Sequence, residues 1–240
     1  MQAASLKAHI ASQSRPLSDT LQLVVVSPLT RALETAVAAF GGDCPAAPGA
    51  PLLMRAQEAL PEQLRVARPG VSALGAPPFV ACELSREHLG VHPCDRRRAL
   101  SYYRAAYPAV DWSLIEHEED TLWDAEVRET DEELALRAKA FLRWLLARPE
   151  QHIAVVTHSS WLSIMFLNFT GACSAPAGES MKRWFQNAEV RAPICPPALG
   201  WVCMPARADA GPPAAHRGAA CLRRAGAPRG HGLHAQHRRS

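Results

Sequence analysis

Three groups of residues in this 240-residue chain have types and spacings suited to chemistry on an anion. The first is Ser27-Pro28-Leu29-Thr30-Arg31-Ala32-Leu33-Glu34-Thr35, directly behind the apolar run Leu23-Val24-Val25-Val26. Helical side chains lean toward the helix N-terminus, so an Arg one turn inside projects its guanidinium at the helix mouth. There it joins unpaired backbone N–H groups and the positive end of the dipole, a combination that binds phosphate. The second is His158, at the end of Ile153-Ala154-Val155-Val156-Thr157 and just before Ser159-Ser160, a strand-to-helix junction where backbone amides also converge. The third is the stretch from Cys82 to Arg98, with the acids Glu83 and Glu87 and the cations Arg96, Arg97 and Arg98. Arg96 and Arg97 are candidates to hold an anionic substrate. Three successive helical residues cannot share one face, so at least one of the three arginines faces solvent.

These groups need elements to position them. Leu21 to Val26 reads as a buried strand, with Ser27 capping the next helix and Pro28 in its first position. Leu29, Leu33, Ala36, Val37 and Phe40 form that helix's apolar face, and Gly41-Gly42 ends it. Residues 43–51 read as a loop and 61–78 as a long surface excursion. Phe79 to Leu84 is a strand, and Asp95 to Tyr107 a basic helix with Asp95 at its N-cap. Thr130-Asp131-Glu132-Glu133 is a capping box before a helix whose face is Leu134, Ala138, Phe141, Leu142 and Leu145, with Pro149 stopping it. His152 to Thr157 is a strand and Trp161 to Phe169 the helix after it. The acidic segment between Trp112 and Trp123 is expected to cover the sheet. Strands alternating with helices predict a largely parallel sheet covered on both faces, with ligands at the carboxyl ends of the strands.

Composition narrows the classes. With 48% hydrophobic and 20% charged residues the chain is globular, and a net charge of +3 does not argue for nucleic acid or a membrane surface. Seven cysteines without a Cys-x-x-Cys pair argue against a disulfide framework or a zinc knuckle and for a reducing, cytoplasmic compartment. Residues 1–18 lack the apolar core of a secretory signal, although their acid-free, Ser- and Ala-containing composition also suits an organellar transit peptide. No metal or cofactor is implied: His88 and His92 are spaced i, i+4, but Gly90 and Pro93 break the helix a zinc pair would need. Residues 192–240 contain one acid, Asp209, and no lysine, and are rich in Arg, Pro, Ala and Gly. That tail is expected to be disordered, and its basic residues are not interleaved with aromatics as a single-strand binder requires.

Ser27-Pro28-Leu29-x-Arg31-Ala32-x-x-Thr35, the Thr157-His158 junction and Arg86-Glu87-His88-Leu89-Gly90-Val91-His92-Pro93-Cys94-Asp95 together resemble the histidine phosphatase superfamily, in its plant and fungal phosphoglycerate mutase-like branch. The resemblance runs from about Ser5 to Arg191, with Asn187 to Arg191 similar to the closing strand. It implies an α/β/α sandwich and covalent phosphoryl transfer through a phosphohistidine. It also implies that Arg31, with Ser27 beside it, binds the phosphoryl group of a phosphorylated small molecule. His158 would hydrogen-bond that group, and Glu87, or as second choice Glu83, would protonate the leaving oxygen. The family's nucleophile lies in an Arg-His-Gly motif on a first strand, and no Arg-His-Gly occurs in this chain. The expectation is therefore a partial domain over residues 1–191, truncated ahead of Met1. It would be a three-layer sandwich with a mostly parallel sheet and its first strand missing, leaving an apolar slot beside the strand of His158 and no turnover. A phosphate-binding pseudophosphatase and a basic-tailed nucleic-acid-associated protein are the alternatives. Oligomeric state is open.

Overall fold

A computed structural model describes residues 7–8, 20–58, 67–169, 179, 183–186, 189, 204–205 and 222–223. The elements in order are β1 (Leu23–Val26), α1 (Thr30–Phe40), β2 (Leu52–Met54), β3 (Val71–Ser72), β4 (Phe79–Ala81), α2 (Leu100–Ala106), β5 (Val110–Asp111), α3 (Asp131–Leu146), β6 (His152–Thr157), α4 (Ser159–Phe169), β7 (Met204–Pro205) and β8 (Leu222–Arg223). Single 3-10 turns occupy Glu83–Ser85 and Pro93–Asp95.

The central sheet runs β5-β4-β1-β6 with all four strands parallel. β1 is its middle member, with Val25 level with Val80 on one side and Val155 on the other. Alternation along each strand divides the interior in two. Val24, Val26, Phe79, Ala81, Ala154 and Val156 point into a core shared with α1 and α2. Leu23, Val25, Val80, Ile153 and Val155 point the other way, into a core with Leu134, Ala138, Phe141 and Leu145 of α3 and Trp161, Leu162 and Met165 of α4. This is why these strands read as unbroken apolar runs: both faces of a parallel strand are covered. The fold is the α/β sandwich expected from the alternation of elements.

Several local expectations change. α1 starts at Thr30 with Leu29 as an uncapped N-cap residue, because the Ser27 hydroxyl is engaged elsewhere. The helix expected over 95–107 is only Leu100–Ala106. Asp95 does not cap it, since its carboxylate is bound by two arginines from other segments. Part of the stretch expected as a surface excursion forms β3, which pairs antiparallel with β2. The capping box at Thr130 forms, with Thr130 accepting from the Glu133 amide and Glu133 accepting from the Thr130 amide. The edge of β6 away from β1, where an open slot is expected, pairs with β7 and β8, which satisfies strand-edge groups that would otherwise stay open. The remainder of the basic tail, the initial helix beyond residues 7–8 and most of the closing strand over 187–191 lie outside the described residues.

Candidate functional site

The chain leaves β1 toward β4 and returns to β6 on β1's other side. The two crossover helices therefore cover opposite faces, α1 in one core and α4 in the other. A crevice opens at the carboxyl ends of two such strands, at the point where the order reverses. Ser27 and His158 are the first residues past β1 and β6 at that point. Both are fully buried, and Ser27 Oγ lies 2.7 Å from His158 Nε2.

Arg31 is buried one turn into α1. Its Nη1 donates to the Cys94 carbonyl at 2.6 Å and its Nη2 to Asp95 Oδ1 at 2.8 Å. Its Nε is buried and has no protein partner among the described residues. A guanidinium fastened on one flank and left unsatisfied on the other is prepared to accept an oxyanion.

The segment after β4 is drawn to the same edge. Thr157 Oγ1 donates to the Ser85 carbonyl, and Trp161 Nε1 donates to the Leu84 carbonyl at 2.9 Å. The Glu87 carboxyl is buried. Its Oε1 accepts from the His88 amide at 3.1 Å, and its Oε2 has no protein partner among the described residues. Glu83 differs, since its Oε1 accepts from Arg97 Nε at 2.7 Å and lies 3.8 Å from Arg86. Only Glu87 of the two acids therefore keeps a buried oxygen open. The Cys82 thiol, at the end of β4, is pushed up to about 11 by burial, partly offset by contacts with the backbone of Leu84 and Ser85. It stays protonated at neutral pH and is a poor nucleophile.

The arginines of the third group separate. All five N–H donors of Arg97 are committed: Nε to Glu83, Nη1 to the carbonyls of Arg98 and Glu118, and Nη2 to those of His117 and Glu119. Arg97 thus holds the acidic segment against the sheet and has no donor left for a substrate, which corrects its expected role. Arg96 is exposed and stacks over Trp123 at 5.2 Å from the ring centroid, with no contact to Arg31 or His158. Both follow from the loss of the helix expected there: extended backbone sends successive side chains in opposite directions.

The residues that hold this edge together carried no signal in sequence. Arg86 is fully buried and forks onto Asp120 at 2.7 and 2.6 Å, with a third bond to the Asp95 carbonyl. Arg137 of α3 spends its five donors on Glu129 and on the carbonyls of Leu84, Arg86 and Glu87. Asp95, read as a helix cap, is the carboxylate that orients Arg31. Among the described residues no group of three or more His, Cys, Asp or Glu could hold a metal, and no helix is long and apolar enough to cross a membrane.

Fold and site together define an open parallel α/β protein with an anion site at its topological switch point. No protein-family model matches the chain, and no solved structure matches it. Curated relatives do. It is 43% identical over 194 residues to phosphoglycerate mutase-like protein 1 of Arabidopsis thaliana, covering 79% of this chain and 65% of that protein. It is 38% identical over 192 residues to a second Arabidopsis thaliana phosphoglycerate mutase-like protein, covering 79% of this chain and 68% of the relative. A third, phosphoglycerate mutase-like protein 2, is 39% identical over 201 residues, with 57% of its length covered. The chain thus spans about two thirds or less of the length of these relatives, and it belongs with them to the phosphoglycerate mutase-like proteins of the histidine phosphatase superfamily.

Proposed function

We propose that this chain is the phosphoester-binding part of a phosphoglycerate mutase-like phosphatase, and that it grips a phosphorylated small molecule without turning it over. Arg31 would hold the phosphoryl oxygens, with the Ser27–His158 pair forming the floor of the site and Glu87 placed to give a proton to a leaving oxygen. The observation that carries this reading is the gathering at one edge of three polar groups from distant parts of the chain: buried Arg31 with an unsatisfied Nε, buried Glu87 with an unsatisfied oxygen, and the Ser27–His158 pair. Buried polar atoms normally find partners, and an anion with a protonated leaving oxygen supplies both kinds. In the family the phosphoryl group passes to the histidine of Arg-His-Gly. This sequence contains none, which favours binding over hydrolysis.

Calorimetric titration with inorganic phosphate tests the site. The wild-type chain should bind, and Arg31→Ala should weaken binding at least about tenfold, the value of one charge-assisted contact. Equal affinity in the two proteins refutes the site. Incubation with a labelled phosphate donor tests the absence of turnover: acid-labile label retained on the protein would show a nucleophile and overturn that part.

A further inference from the structure

Arg128 belongs to no motif, yet it shares a carboxylate with Arg31. Asp95 accepts from Arg31 Nη2 through Oδ1 at 2.8 Å and from Arg128 Nη1 through Oδ2 at 3.1 Å. Arg128 Nη1 also donates to the carbonyls of Gly90 at 2.7 Å and His88 at 3.1 Å. All of its contacts are made through that one nitrogen; Nε and Nη2 carry no hydrogen bond to the described residues. The Arg31 side chain is 5% exposed and that of Arg128 33%, so one guanidinium is inside and its neighbour lies at the rim.

Asp95 alone neutralises one arginine. Two on one carboxylate leave a net positive charge, and the outer cation points no acceptor of its own chain at its remaining donors. Its side chain is already fixed by two backbone carbonyls, so a ligand would meet little of the entropy cost of ordering it. Resting on the phosphate-site reading above, we propose that Arg128 binds a second anionic group of the ligand whose phosphoryl group Arg31 holds. The site then selects phosphoesters carrying a further anionic group over singly anionic ones.

Titrating the full chain with inorganic phosphate and with inorganic pyrophosphate tests this. Arg128→Gln should lower pyrophosphate affinity about tenfold and leave phosphate affinity within about twofold. Arg128→Lys, which keeps the charge but loses the planar fork, should recover part of the loss and guards against a folding defect in the first variant. Equal losses for both anions, or no loss for pyrophosphate, overturn the role of Arg128 while the Arg31 site stands. A wild-type chain that binds neither anion overturns both.

Discussion

Replacing Arg86 with Met asks how much of this site depends on one buried ion pair. The Arg86 side chain is 0% exposed and that of Asp120 1%, with two bonds between them and a third from Arg86 to the Asp95 carbonyl. Removing one member of such a pair strands the other charge, at about 3–5 kcal/mol. Asp120 keeps the amides of Arg97 at 2.6 Å and Leu122 at 3.2 Å, which puts the expected loss near the lower end, about 3 kcal/mol. For a chain of this size that lowers Tm by roughly 6–12 °C. The loss should also depend on pH. Burial works to raise the Asp120 pKa, but the Arg86 hydrogen bonds and charge, with the two amides, outweigh it and hold the carboxyl below its ordinary 3.8. A group depressed in the folded state contributes stability above its unfolded pKa and loses it as pH falls through the folded one. The gap between wild type and Arg86→Met should therefore be full at neutral pH and close below about pH 4. Urea unfolding followed by circular dichroism at several pH values reads both quantities. A loss under about 1 kcal/mol, or one that stays constant into acid, would refute the stranded-charge argument.

Two other substitutions test the loop that carries Glu87. Gly90 has φ +80°, and a Cβ there would overlap the Val127 carbonyl oxygen, so Gly90→Ala should cost at least about 2 kcal/mol in denaturant unfolding. An unchanged midpoint would show that the 88–91 loop is not held as described. At His88, burial works against the charged ring, but hydrogen bonds to Glu87 and Asp131 prevail and raise its pKa above 6.5. A raised pKa stabilises fully below the unfolded value and is lost as pH rises through the folded one. His88→Gln should thus be less stable than wild type near pH 5.5 and indistinguishable near pH 9, in melts run across that range. A difference independent of pH would contradict the ion pairs.

The sequence by itself determined the layers and their order. Leu23–Val26 and His152–Thr157 are apolar at every position of the strand interior because both faces are covered, and a property of composition at that length is local. The α3 cap and apolar face were legible for the same reason: four residues and a period of 3.6 settle them. Sequence also singled out Arg31, Glu87 and His158, each beside a strand end. Only the tertiary structure decided what the charged residues between them do. Asp95 and Arg97 look like parts of one basic helix, yet one orients Arg31 and the other is consumed by four carbonyls and a glutamate. Ser27 looks like a cap and is instead bound to a histidine 131 residues away. A buried charge takes whichever partner the fold brings within reach, and partners 9 to 131 residues distant leave no periodic trace in the chain.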